Sequence, residues 1–108
     1  MTAKELLFRL PEAVDTQAAG ETSAVIQYEL SEPLYHVLES GEIRTVEGRA
    51  EAPDLTVTMR DDDLVALFEG KINPMMAFMT GRIRVAGDMT LAQRLVKFFD
   101  QDKLRSLA

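Results

Sequence analysis

The sequence predicts an α/β (α+β) fold, in which a five-stranded, mostly antiparallel sheet is covered on one face by helices. Segment 24–30 alternates apolar and polar residues, as a half-buried strand does, and segment 55–60 repeats the pattern with threonine on the outer face. After residue 60 the apolar spacing changes from every second residue to helical spacing. A length of 108 residues suits a single domain, and we assign residues 1–108 to it.

The first half of the chain predicts two short helical pieces and three strands. The second helical piece starts at Pro11 and ends near Gly20. The last two of these strands are joined by a tight hairpin at Ser40-Gly41. Ile43 is the main apolar residue of the third strand, so we place that strand near a sheet edge. The first helical piece spans 3–8, and the three strands span 24–30, 34–39 and 42–47.

The second half predicts a strand, two helices, a strand and a final helix. We expect Asp61, Asp62 and Asp63 to cap the first of these helices and to interact favourably with its dipole. Asn73 is the expected cap of the next helix and Asp88 that of the last. Because a helical crossover precedes the fifth strand, that strand could lie parallel to a neighbour. Gly70 and Gly81 end the two middle helices, the fifth strand covers 82–85, and the final helix runs from 89 to about 100.

The charge distribution argues against a nucleic-acid partner. The net charge is −6, with 15 acidic and 6 basic residues in 1–81, against 3 acidic and 6 basic residues in 82–108. An acidic chain repels phosphate backbones and anionic lipid surfaces, so we expect no nucleic-acid partner and at most transient membrane contact. The basic C-terminal quarter is interpreted as a solvated helix face, and contact with an anionic head group is the alternative.

We expect a cytoplasmic protein by default, because nothing in the sequence requires an oxidising compartment or directs the chain elsewhere. No Cys is present, which excludes disulfides and thiolate chemistry. The first ten residues include acidic Glu5 and only a short apolar run, unlike a signal peptide. The last three residues, Ser106-Leu107-Ala108, are not the peroxisomal Ser-Lys-Leu address.

No residue pattern indicates an active site. A zinc site cannot be built from His36, the single histidine, without cysteine or further histidine, and we interpret it as a structural or surface residue. The three consecutive aspartates point in different directions from a helix start and do not converge on a cation. Phosphate-binding loops and nucleophile elbows are missing from the sequence. We therefore predict no enzyme activity, no catalytic residue, no metal and no cofactor.

One short segment is unusually rich in large apolar side chains. Met75, Met76, Phe78 and Met79 crowd a helix of about one and a half turns, and the final helix carries a wide apolar arc. Methionine fills irregular gaps in a core, which is one interpretation. It also forms adaptable walls around ligands of varied shape, which is the other. Composition leaves both open.

Segments 53–58 and 70–89 carry a resemblance to a known family. They contain a Pro-Asp strand, a Gly-Lys loop, an Ala-Phe-Met-Thr-Gly segment, a basic-apolar strand and a Gly-Asp-Met helix start, with matching spacing. Together with segments 10–12 and 25–30, this resembles the sterol carrier protein 2 family, in its short prokaryotic form. The resemblance implies a five-stranded sheet covered by helices around a hydrophobic cavity, without catalytic residues.

The resemblance also implies the function. Such a domain binds fatty acids, fatty acyl-CoAs, sterols or similar lipids and acts as a lipid carrier or transfer protein. The alternative is a non-catalytic accessory module that presents apolar helices to a lipid-modifying enzyme, so a protein partner is possible. The natural lipid and the oligomeric state stay open. The predicted lipid-binding residues are Ile26, Tyr28, Val57, Met59, Leu64, Leu67, Phe68, Met75, Met76, Phe78, Met79, Ile83, Val85, Leu91, Leu95, Phe98 and Phe99.

Overall fold

A computed structural model describes residues 2–13 and 23–95 of the chain. Its helices are α1 (Ala3–Arg9), which continues into a 3₁₀ turn (Leu10–Ala13), α2 (Asp61–Phe68), α3 (Pro74–Met79) and α4 (Met89–Leu95). Its strands are β1 (Ala24–Glu29), β2 (Leu34–Glu39), β3 (Glu42–Glu47), β4 (Leu55–Met59) and β5 (Ile83–Gly87). Part of the predicted second helical piece and the end of the predicted final helix lie outside the described residues.

The strands form one sheet in the order β3-β2-β1-β4-β5. Three neighbouring pairs are antiparallel, and β1 with β4 is the parallel pair. The expected fold class and the edge position of β3 are therefore confirmed. A parallel fifth strand was the wrong expectation, because α2 and α3 return the chain to the end of β4, where Ile83 pairs with Met59.

Turn chemistry sets the bounds of β2 and β3. Ser40 and Gly41 have φ angles of 53° and 78°, and positive φ at both central residues is the geometry of a type I′ hairpin turn. Such a turn matches the twist of the flanking strands and fixes the register, in which Glu39 pairs with Glu42. The predicted bounds of both strands and their hairpin are confirmed.

The parallel pairing arises because the segment 48–54 crosses from edge strand β3 to β4. Gln27 of β1 is 3% exposed, and its side chain fastens this crossover. Its amide nitrogen donates to the carbonyls of Leu34 (3.1 Å) and Gly48 (3.2 Å), and its oxygen accepts from the Ala50 N–H (2.8 Å). The alternation of β1 places Gln27 on the polar face of the sheet. The crossover segment covers this residue, so the polar face is not exposed to solvent along its whole length.

Replacing Gln27 by Leu is expected to reduce the free energy of unfolding by about 2 kcal/mol, because the Ala50 N–H and the Gly48 carbonyl lose their partner where solvent is restricted. Chemical denaturation measures the loss. Glu29→Gln is the control, since the exposed Arg49–Glu29 ion pair (3.1 Å) joins the same two segments. We expect the control to lose less than about 1 kcal/mol. Equal losses would contradict the assignment of Gln27 as the fastening residue.

The helix ends are set by local residues, with one correction. The N-cap of α2 is Arg60, which makes no side-chain cap bond, so the expectation that the three aspartates cap this helix is wrong. They occupy its first turn, where they still favour the helix dipole. Asp61 instead accepts hydrogen bonds from the backbone N–H (3.0 Å) and the hydroxyl of Ser31, because its carboxylate reaches the β1–β2 turn.

The other predicted helix ends are confirmed. Asn73 caps α3 by accepting from the Met75 N–H (2.8 Å), and Asp88 caps α4 by accepting from the Leu91 N–H (3.0 Å). Gly70 and Gly81 follow α2 and α3 with φ angles of 75° and 80°, the left-handed conformation that commonly ends helices. These caps fix where α3 and α4 stand over the sheet.

Candidate functional site

The helix-facing side of the sheet, which we call the inner face, carries the core. Its strand residues alternate with those of the outer face, and helices α1, α2 and α4 add buried residues to the same cluster. Among the described residues, the buried polar side chains are Gln27 and His36, and no carboxylate, lysine or arginine is buried. The buried inner-face strand residues are Ala24, Ile26, Tyr28, Leu34, His36, Leu38, Leu55 and Val57.

The core is tightly closed beneath α1. Leu6 and Leu7 of α1 are 1% and 0% exposed, and Ile26, which belongs to the same cluster, is also fully buried. A dense contact of this kind leaves no surface for a ligand, because side chains at native packing density exclude even water. This half of the core therefore holds the fold together.

His36 belongs to this closed half. Its Nε2 donates to the Leu7 carbonyl oxygen at 2.9 Å, and its Nδ1 is buried without a hydrogen-bond partner among the described residues. The Tyr28 ring meets the imidazole edge to face, with centroids 4.9 Å apart. Burial lowers the pKa of His36 to about 4, against the raising effect of the Leu7 bond, and burial also raises the pKa of Tyr28. A neutral ring that anchors α1 to the sheet is a structural residue.

The core loosens towards β5. Ile83 and Val85 face the helices, yet both are only partly buried, as is Met59 beside them on β4. Leu91 of α4 is 5% exposed and packs in the same cluster. Among the described residues, the inner face is thus incompletely covered at Met59 of β4 and at Ile83 and Val85 of β5, and we call this region the open end of the core.

The predicted lipid-binding residues that the structure describes fall into three groups that differ in burial. The first group lies buried in one cluster: Ile26, Tyr28, Val57, Leu64, Phe68 and Leu91. A second group is partly buried: Met59, Leu67, Ile83 and Val85. The third group is exposed, with Met75 at 66%, Met76 at 57%, Phe78 at 46% and Met79 at 71%. Phe98 and Phe99 lie outside the described residues, as does the side chain of Leu95. A ligand-contacting role for all of them stays a prediction.

Helix α3 turns its small residue inward. Ala77 is 1% exposed, and its carbonyl accepts from the Arg82 N–H at 2.9 Å, which ties the helix end to the start of β5. A six-residue helix cannot bury large side chains on every side when only one side meets the protein. Its four large apolar residues therefore project away from the contact made by Ala77.

A separate groove lies between the start of α1 and α2. Its volume is about 440 Å³ and it opens to solvent. The carboxylates of Asp61, Asp62 and Glu69 line it, which disfavours a fatty-acid carboxylate or a phosphate by charge repulsion. It is therefore a poor lipid site. The remaining lining residues are Thr2, Ala3, Val65, Ala66 and Lys71.

Sequence reasoning missed a close backbone contact between the start of β4 and the end of β5. The Gly87 Cα faces Asp54, and the Asp54 carbonyl accepts from the Asp88 N–H at 2.9 Å. The Asp54 carboxylate in turn accepts from the Val25 N–H at 2.8 Å. The sequence signal for this contact is the presence of Pro53-Asp54 and Gly87-Asp88, which both belong to the segments that resemble the family. Neither pair indicates by itself that the two lie in contact.

Neither a membrane-spanning helix nor a metal-binding cluster is found in the part of the chain that the structure describes. Within 2–13 and 23–95, no helix has the length and apolarity needed to cross a membrane. In the same segments, no group of three or more His, Asp or Glu side chains is placed to hold a metal ion.

The family model described as the SCP-2 sterol transfer family matches residues 3–100. Hydroxysteroid dehydrogenase-like protein 2 of Bos taurus is 35% identical over 106 residues, which cover 92% of this chain and 25% of that protein. The solution structure of palmitated SCP2L2 from Aedes aegypti is similar with a TM-score of 0.72 and 22% identity, and 96% and 95% of the two chains are covered.

A larger enzyme contains the same fold. The sec-alkylsulfatase Pisa1 from Pseudomonas sp. is similar with a TM-score of 0.78 and 18% identity, and the match covers 90% of this chain but 16% of the sulfatase. The chain thus spans about a quarter of the bovine relative's length and less of the sulfatase's. At this identity the sulfatase shares the fold alone, so its reaction does not extend to this chain.

Proposed function

The chain belongs to the SCP-2 sterol transfer family, whose domain binds and transfers lipids in general, and from that premise we propose that it carries one apolar ligand at the open end of its core. The ligand lies between the inner face of β4 and β5 and the helices α2 and α4, with α3 at the rim. Fatty acids, fatty acyl chains and sterols have the required chemistry, because each offers a long apolar body.

The observation that supports this position is the partial burial of Ile83 and Val85. Leu34 and Leu55, inner-face side chains of internal strands, are covered completely at 0% exposure, whereas the inner-face side chains of the edge strand β5 are not. Incomplete cover on the same face leaves apolar area that a ligand can remove from water. The mosquito SCP2L2 of similar fold is a palmitated protein, which further supports an acyl-chain ligand for this one.

The expected affinity follows from burial of the chain. Each buried methylene contributes about 0.8 kcal/mol, so ten of them contribute about 8 kcal/mol before the costs of ordering. A Kd of about 1 μM corresponds to about 8 kcal/mol after those costs, so micromolar binding without a charged anchor requires more than ten buried methylenes, as a long acyl chain offers. Since no carboxylate, lysine or arginine is buried among the described residues, the apolar body and not the head group should determine binding.

Titration of the purified, delipidated chain with a fluorescent fatty acid tests the proposal. We expect saturable binding of one ligand per chain, weakened about fivefold by Val85→Thr, because a hydroxyl in the wall costs about 1 kcal/mol. Val46→Thr is the matched control. Val46 is also partly buried but lies on the outer face of the sheet, so its substitution should leave the affinity unchanged. Absence of saturable binding would refute the proposal, and equal effects of both substitutions would refute the position.

One observation favours the alternative function, that of an accessory module that docks on an enzyme: four apolar residues of α3 are exposed. A module that only docks on a protein needs this surface but no ligand space. The same titration separates the two functions, because a closed core gives no saturable uptake of a fatty acid.

A further inference from the structure

Helix α3 exposes more large apolar surface than any other described element. We call Met75, Met76, Phe78 and Met79 the α3 patch; all four are 46% exposed or more. No charged residue interrupts the helix, whose sequence is Pro-Met-Met-Ala-Phe-Met. Contiguous apolar surface of this kind marks an interaction site, because it is costly to leave in water.

The charge around the α3 patch indicates which kind of partner it suits. Residues 70–95 hold four basic residues, of which Lys71 pairs with Glu69 at 2.9 Å, and one acidic residue, whereas residues 23–69 hold three basic and eleven acidic residues. Arg82 adjoins the patch, since its N–H donates to the carbonyl of Ala77 at the end of α3. Arg84 follows on β5, and both arginines are exposed and without an ion pair among the described residues.

We propose that the α3 patch, together with Arg82 and Arg84, is the surface by which the chain docks on an anionic lipid bilayer. Apolar side chains enter the boundary between head groups and acyl chains, while nearby arginines meet the lipid phosphates. Methionine suits this contact because its unbranched, flexible side chain adapts to a disordered surface. The acidic remainder of the chain is repelled by the same bilayer, which orients the protein with α3 towards it.

Helix α1 does not offer an equivalent surface. Its residues Ala3, Leu6 and Leu7 are at most 3% exposed and lie in the core, which leaves Phe8 as its exposed large apolar residue at 44%. Phe8 is therefore a matched control, since its exposure is close to that of Phe78 but no other large apolar residue of α1 is exposed beside it.

The docking surface rests on the proposed function, because a lipid carrier must meet a bilayer to load or release its ligand at the open end. The chain has no Trp, so a single introduced indole reports its own environment. The variants Phe78→Trp and Phe8→Trp are mixed with vesicles of phosphatidylcholine alone or with phosphatidylglycerol added. With the anionic vesicles, we expect the Phe78→Trp variant to show a blue shift of its fluorescence and quenching by brominated lipid. We expect neither change for the Phe8→Trp variant.

Affinity for the same vesicles tests each part of the surface. Arg82→Gln with Arg84→Gln should weaken vesicle binding about fivefold for each arginine, and raised salt should reduce the difference. Met75→Ser with Met79→Ser should weaken it at least about tenfold, because two apolar side chains no longer enter the bilayer. The arginine variant should bind free fatty acid as the unchanged protein does, which separates failure of docking from failure of the proposed function.

Other occupants of the α3 patch give different results, and each would overturn the proposal. For the Phe78→Trp variant without vesicles, a blue shift that grows with protein concentration indicates a second copy of the chain. A blue shift at every concentration without vesicles indicates cover by the chain's own residues. Equal responses of the two tryptophan variants to the vesicles, or no response at all, show that this surface does not dock on lipid.

Discussion

Gly87→Ala is expected to lower the free energy of unfolding by about 3–5 kcal/mol, because the added methyl group has no room beside the backbone of the neighbouring strand. Gly87 has a φ of +111°, and a Cβ there would lie 2.4 Å from the Asp54 carbonyl oxygen. Backbone must therefore shift, which breaks the bond from the Asp88 N–H to that oxygen. Chemical denaturation measures the loss, and the melting temperature should fall by roughly 10–20 °C.

Gly48→Ala isolates the contribution of the contact. Gly48 has a similar φ of +104°, but a Cβ there would have no atom within 4 Å. We expect a loss of about 1–2 kcal/mol from the backbone conformation alone. If both substitutions cost the same, the approach of β5 to Asp54 is not what requires glycine.

Acidification is expected to lower the free energy of unfolding by about 3 kcal/mol in total, because His36 is protonated more readily in the unfolded chain than in the folded one. Burial holds the pKa of His36 at about 4 in the folded protein, below its ordinary value of 6.5. Between these values the unfolded chain binds a proton that the folded chain does not, so acidification favours unfolding. The contribution is fully present above about pH 6.5 and is lost by about pH 4, with about 2 kcal/mol of the loss between about pH 7 and 5.

Denaturation at about pH 7, 6 and 5 measures this loss, since carboxylates titrate mainly below that range. His36→Gln is the comparison, because a glutamine amide can still donate to the Leu7 carbonyl but does not titrate. We expect the variant to be less stable at neutral pH and nearly independent of pH across the same range. A variant with the same pH dependence as the unchanged protein would show that other groups cause it.

Elements whose ends are set by neighbouring residues could be predicted from the sequence. The Ser40-Gly41 turn fixes β2 and β3 because its positive φ angles and the flanking alternation agree. The cap at Asn73 and the glycine at 81 define α3 in the same local way. The alternation of the strands predicted the fold class, and the family resemblance added the expectation of a lipid ligand.

Features that depend on distant contacts could not be predicted. The pairing of β1 with β4 depends on Gln27 and on Asp54, which bond to Gly48 and Val25, residues far from them along the chain. The exposure of Met79 could not be predicted from the sequence either, because an apolar helix of six residues is compatible with a core, a ligand-binding wall or a surface. Position relative to the sheet decides among these, and only the fold supplies it.

The central claim, that a lipid occupies the open end of the core, is tested most directly by nuclear magnetic resonance with a ¹³C-labelled fatty acid. Filtered nuclear Overhauser spectra record which protein methyl groups lie near the labelled methylenes. The account predicts contacts to the methyl groups of Ile83, Val85 and Met59, and none to Leu6 or Leu7 in the closed half beneath α1. Contacts confined to the acidic groove at Val65 and Ala66, or no contact with β5, would contradict it.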